Sequence, residues 1–273
     1  VKGTLVDTCG TGGDASNTIN ISTSAAIVSA ACGVPIAKHG NYAVSSKCGS
    51  ANVLSELGVN ISPAPAEVQA MIETVGIGFM LAPIFHPAMK RVGSLRRELG
   101  MRTVFNILGP LTNPAGAKAQ LMGVYDPGLC EKLAHVLMIL GIERAMVVNG
   151  MGMDEITNTG ETIVSELKDG VVRNYRLHPQ DFDYPLAKVE EISGGTPEDN
   201  ARKLVNVMKG ERSPARDIIA MNSGAAVYVS GQASTLQEGS RMAEAALDSG
   251  RALQTLKRMV AMNGDPSKLE RFL

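Results

Sequence analysis

The stretch Leu5-Val6-Asp7-Thr8-Cys9-Gly10-Thr11-Gly12-Gly13-Asp14 passes from a strand-like run straight into glycines, and a run of small residues from Ser22 to Ala31 follows within one short loop. Without Cβ atoms, Gly10, Gly12 and Gly13 can take positive φ and bring backbone N–H groups within hydrogen-bond range of an anion. A helix starting nearby adds the partial positive charge of its N-terminus. Strand, glycine loop and helix in that order describe the first unit of an α/β sheet with a phosphate cradle at its edge.

Working outward, the same alternation recurs. The helix over 22–31 is capped by Asn20 or Ser22 and stopped by Gly33,. A short strand over 34–37 is expected to end in a Lys38-His39-Gly40-Asn41 turn, before helices over 49–57 and 65–75 and an apolar strand over 77–81,. Strands at 121–125 and 145–148 flank a helix at 129–140, and Asp169-Gly170 marks a hairpin between 162–166 and 171–177,. The C-terminal third reads as four helices. The class expected is α/β, with a mainly parallel central sheet flanked by helices and right-handed crossovers. The segment His86 to Leu99 interrupts the alternation with the basic residues Lys90, Arg91, Arg96 and Arg97.

Ligands of such sheets lie beyond the carboxyl ends of the strands, which is where three polar clusters fall. The glycine loop formally matches the dinucleotide fingerprint. A nicotinamide site, however, wants an acidic residue at the end of the second strand, where this chain supplies Lys38 and His39,. That favours a phosphate over a bare ribose diol. No Gly-Lys-Ser/Thr follows the glycines, so a Walker A loop is excluded. Ser45, Ser46, Gly49 and Ser50 offer a second anion-binding element at another helix start,. Asp154 and Glu155 follow an apolar strand through two glycines, where adjacent carboxylates repel unless a cation or water relieves them,. Mg2+ takes such oxygen ligands and shares its shell with phosphates. Solvated polar turns are the plain alternative for each cluster.

Composition narrows the classes. The 273 residues suffice for a large core, and 26 basic against 27 acidic residues leave no general nucleic-acid footprint,. The four cysteines, Cys9, Cys32, Cys48 and Cys130, show no zinc spacing and read as small buried residues of a reducing compartment,. With no apolar run of membrane length and no leader pattern, the expected location is the cytoplasm.

Taken together, Gly10-Thr11-Gly12-Gly13-Asp14, Asn20-Ile21-Ser22-Thr23, Lys38-His39-Gly40-Asn41, His86-Pro87-Ala88-Met89, the long run from Arg102 to Pro114 (RTVFNILGPLTNP), Asp154-Glu155 and Met262-Asn263-Gly264 resemble the anthranilate phosphoribosyltransferase family. The resemblance covers essentially the whole chain. It implies transfer of a phosphoribosyl group from 5-phosphoribosyl 1-pyrophosphate to the amine of anthranilate, with Mg2+ as cofactor and no strong protein nucleophile. Carried over by position, Gly10, Gly12, Gly13, Asp14, Thr18, Asn20, Ser22, Thr23, Lys38 and Ser50 would hold the phosphoribosyl pyrophosphate. Gly10, His39, Asn41, Arg96, Gly109 and Pro110 would line the anthranilate path, and Ser22, Asp154 and Glu155 would bind metal. The family fold implies an α/β domain over 1–83 and 104–273. Residues 84–103 would be an insertion belonging to a small helical domain whose N-terminal part this chain lacks. Homodimerisation also follows from the resemblance, while the charge balance and the lack of a membrane-length apolar run lead to the expectation of no nucleic-acid or membrane partner. The competing expectations are a pyrimidine-nucleoside phosphorylase of the same architecture and a non-catalytic nucleic-acid-binding relative.

Overall fold

Strand β1 (Val6–Gly10) lies in the middle of the sheet, in a computed structural model that describes residues 1–14, 16–43, 47–87 and 105–273. The other strands are β2 (Ile36–Gly40), β3 (Ile77–Leu81), β4 (Ala119–Gly123), β5 (Arg144–Gly150), β6 (Thr162–Lys168) and β7 (Val171–Leu177). They form one seven-stranded sheet in the order β3-β2-β1-β4-β5-β6-β7. From β3 to β5 the neighbours run parallel, while β6 and β7 add antiparallel strands. The expected α/β class with a mainly parallel sheet is what the chain adopts. The hairpin turn takes positive φ at both Asp169 and Gly170, the two-residue geometry whose twist matches that of the strands it joins,.

Helices α1 (Ile21–Ala31), α2 (Ser50–Glu56) and α3 (Pro65–Val75) follow β1 and β2, and α4 (Ala82–Phe85) and α5 (Phe105–Leu108) are single turns. Beyond β4 come α6 (Cys130–Ile139), then α7 (Pro197–Met208), α8 (Pro214–Val229), α9 (Leu236–Asp248), α10 (Arg251–Asn263) and α11 (Pro266–Glu270). Alternation along the strands assigns the faces. Val6, Ile36, Leu121, Met146 and Val148 join the main core with α1 and α8, whereas Met122, Val124, Ala145 and Val147 pack with Cys130, Leu133 and Leu137 of α6. The small residues of α1 do what their size allows, since Ala25, Ala26, Ile27 and Val28 are fully buried.

Several strand boundaries differ from the sequence pattern: β5 and β6 run two residues further, to Gly150 and Lys168, and two other differences bear on the site. The second strand runs to Gly40 rather than stopping at Ala37, because Lys38 and His39 are buried members of the β2–β3 ladder and not a solvated turn. Strand β4 ends at Gly123, two residues before the expected Tyr125. Its register with β1 closes at Gly10↔Gly123, and the Tyr125 N–H turns instead to Thr11 Oγ1. The expected helical insertion falls mainly on 88–104, outside the described residues, as do Ser45, Ser46 and Arg96.

Candidate active site at the strand ends

The chain runs outward from β1 to β2 and β3, then returns to continue on the other side with β4 and β5. The point of reversal lies between β1 and β4, where a doubly wound sheet opens a crevice at its carboxyl edge,. Gly10 and Gly123 face each other there. At the end of β5 the chain makes a two-residue turn closed by Gly150 N–H to Met153 O and Met153 N–H to Gly150 O, both 2.9 Å. Met151 and Gly152 take positive φ in that turn, and Asn149 Oδ1 braces it by accepting from Gly152 N–H at 3.1 Å,. The reversal lays Asp154 back across Gly10 and Gly123. A Cβ on Gly123 would be driven into the Asp154 carbonyl, and one on Gly10 into its carboxylate.

The glycine loop and the acidic pair thus meet. Gly12, in the left-handed region, donates its N–H to Asp154 Oδ2 at 2.7 Å. Ser22 N–H, in the first turn of α1, donates to Glu155 Oε1 at 3.1 Å. Each amide has a carboxylate oxygen where a phosphate oxygen would sit. Lys38 lies beneath them, 1 % exposed, donating to Thr8 O at 2.6 Å and Ser22 Oγ at 3.2 Å. Burial lowers its pKa, opposed by the charges of Asp7, Cys9, Glu155 and Asp154. Burial in turn pushes Asp154 up to about 7, with the Asp14 carboxylate adding to the rise, and raises Glu155 well above the usual carboxylate range, reinforced by Asp154.

Two buried acids held above their ordinary range form a corner that a hard divalent cation would compensate. Among the described residues no group of three or more His, Cys, Asp or Glu gathers as a metal cage. The oxygen donors Asp154 and Glu155 fit Mg2+, which one or two carboxylates hold while phosphate and water complete its shell.

The remaining phosphate-side candidates surround this corner. Thr23 Oγ1 donates to Ser50 Oγ at 3.0 Å, tying α1 to the start of α2. Asn20 is held by Asn200, whose Oδ1 accepts from its backbone N–H at 3.1 Å, while Asn20 Nδ2 donates to Cys48 O at 3.1 Å. Ser16 joins Asp14, to which its hydroxyl donates, and Thr18, 3.4 Å away.

On the opposite face of β1, β2 and β4 the sheet carries Asp7, Cys9, His39 and Gln120, all buried, and the loop after α5 passes over them. His39 N–H donates to Asp7 Oδ1 at 3.1 Å, and His39 Nδ1 lies 3.2 Å from Gly109 O. A carbonyl only accepts, so Nδ1 carries the proton and Nε2 presents a lone pair. That Nε2 is buried with no partner among the described residues, and the His86 ring stands edge-on to the imidazole at 5.0 Å. Burial lowers the His39 pKa to about 4, helped by His86. The imidazole's neutrality therefore stabilises the fold above the unfolded value of 6.5 and ceases to do so as pH falls through 4,. NMR titration of the His39 ring is expected to give a midpoint near 4, and a midpoint at or above 6 would contradict this burial.

His39, Gly109 and Pro110 are brought together as one wall. Asn41 stands exposed at the rim, its Oδ1 accepting from Tyr42 N–H at 2.8 Å. The sequence pattern does not single out Gly123, Asn200, Asp7 or Gln120. Only Gly123 leaves a trace in it, a glycine closing an apolar strand.

The chain and its fold have close counterparts. A family model described as "Glycosyl transferase family, a/b domain" matches residues 2–253. The anthranilate phosphoribosyltransferase of Methanosarcina barkeri is 58 % identical over 249 residues, 91 % of this chain and 68 % of that protein. Among solved structures, the anthranilate phosphoribosyltransferase of Thermus thermophilus superposes with a TM-score of 0.90 at 46 % identity, covering 94 % of this chain and 77 % of that one. The Saccharomyces cerevisiae enzyme in complex with PRPP and Mg gives 0.87 at 31 % identity, over 95 % and 73 % of the two chains. With more than nine-tenths of its length matched, the chain belongs to the anthranilate phosphoribosyltransferase family.

Proposed function

We infer that this chain transfers the phosphoribosyl group of 5-phosphoribosyl 1-pyrophosphate to the amine of anthranilate, giving N-(5-phosphoribosyl)anthranilate and pyrophosphate. The observation that carries the reading is the seat shared by the Gly12 amide and Asp154 at 2.7 Å, an anion cradle and a metal corner built as one place.

The chemistry asks for little covalent help. As the bond from the anomeric carbon to pyrophosphate stretches, positive charge grows on the ribose and negative charge on the leaving group. The Gly12 amide, the first-turn amides of α1 and buried Lys38 supply preorganised positive potential for the diphosphate. Asp154, Glu155 and Ser22 would hold Mg2+, which when bound would neutralise the pyrophosphate charge. Asp14, Thr18, Asn20, Thr23, Ser50 and the amides of Gly10 and Gly13 complete the cradle. On the other side, anthranilate's aromatic amine is already neutral and needs orientation more than activation. His39 Nε2 accepts one of its N–H groups, Gly109 and Pro110 form the wall, Gly10 and Asn41 close the path, and Arg96 pairs with the carboxylate.

Residues 84–103 are proposed to belong to a small helical domain, and the working enzyme is proposed to be a cytoplasmic homodimer. No helix among the described residues is long and apolar enough to cross a membrane, in keeping with that location. The test is anthranilate fluorescence. Its consumption is expected to require the chain, 5-phosphoribosyl 1-pyrophosphate and Mg2+ together, and phosphate with thymidine or uridine is expected to release no free base. Phosphorolysis without anthranilate turnover would refute the reading.

A further inference from the structure

We propose that Gln120 is a positioning residue for the amine acceptor, acting through Pro110. The proposal rests on the function inferred above. Gln120 is the second residue of β4 and the register partner of Asp7, on the face of the sheet that the loop after α5 covers. It is 2 % exposed, a buried amide beside the buried Asp7. Its Nε2 donates to Pro110 O at 2.7 Å and to Cys9 Sγ at 3.0 Å. One amide group thus joins the acceptor wall to β1 one residue before the glycine loop.

The wall has two other fastenings, His39 Nδ1 to Gly109 O and Asn113 Nδ2 to Ala37 O at 2.8 Å. Both lead to β2. Gln120 ties the wall from β4 itself to Cys9, beside the glycine loop, so it helps set the distance between acceptor and diphosphate. A buried carbonyl that loses its donor seeks another, and Pro110 would shift toward one. The loss should therefore appear in anthranilate binding, while the amides and carboxylates on the opposite side of the crevice stay in place.

The experiment compares wild type with Gln120→Met, which keeps length and removes the donor, and Gln120→Glu, which sets a carboxylate against the Pro110 carbonyl. Fluorescence titration gives the anthranilate Kd, calorimetry gives the Kd of 5-phosphoribosyl 1-pyrophosphate with Mg2+, and steady-state rates give both KM values. Gln120→Met is expected to weaken anthranilate on the order of tenfold, the scale of one lost buried hydrogen bond, with the other substrate changed less than about twofold. Gln120→Glu is expected to weaken anthranilate further. Gln120→Asn, which withdraws the amide by one methylene, should show the same split and carries the test where either other variant fails to fold. Equal losses for both substrates, or no loss, would overturn the proposal while an active wild type left the function standing. A wild type that binds no anthranilate would overturn both.

Discussion

Replacing Gly123 by alanine is expected to lower kcat/KM about 100-fold or more, the penalty that a misplacement near 1 Å exacts in a preorganised site. The residue touches no substrate in the proposed mechanism. Its methyl group would enter the carbonyl oxygen of Asp154, which is backbone and cannot rotate away. Nor can β4 retreat, because β1 and β5 hold it in register on both sides. Asp154 must therefore leave its place over the crevice, and Gly12 loses its partner. Overpacking of this kind also costs about 1–3 kcal/mol of stability, so the variant should fold with a lowered Tm. Steady-state kinetics beside a thermal melt separate the two effects. A variant that melts lower yet keeps wild-type kcat/KM would show that the position of Asp154 does not matter.

Gly123 also marks where sequence reading runs out. The glycine loop announces itself because its function is local, as several successive residues must adopt conformations that favour glycine. Gly123 is a single glycine whose reason is the backbone of a turn beyond the next strand, and no pattern within its own strand reveals it. Lys38 and His39 look like a turn for a related reason. Charge in a sequence suggests solvent, but here Thr8 O, Ser22 Oγ and the Asp7 carboxylate, all from distant positions, make burial tolerable. Gln120 lies outside the strand expected at 121–125, and its buried place becomes visible only with Pro110 above it. By contrast, α3 and β3 fall on the expected residues, because Pro65 at the helix start, Gly76 in the left-handed region at its end and an unbroken apolar run are signals that need no partner,.

The second large effect concerns the acidic corner. In the double variant Asp154→Asn, Glu155→Gln the shapes stay and the amide oxygens can still accept from Gly12 and Ser22, but the two charges are gone. Because burial already holds both carboxyls above their ordinary range, their removal should leave stability unchanged or raise it,. Activity should nevertheless fall about 1000-fold or more, since the group that neutralises the leaving pyrophosphate has lost its ligands.

Calorimetric titration of 5-phosphoribosyl 1-pyrophosphate into wild type and this double variant, each with and without Mg2+, reaches the point directly. If amides and carboxylates serve one diphosphate, wild type should bind at least about tenfold more tightly with the metal, and the variant should bind equally with or without it. A variant that kept the wild-type response to Mg2+ would place the metal elsewhere and contradict the account.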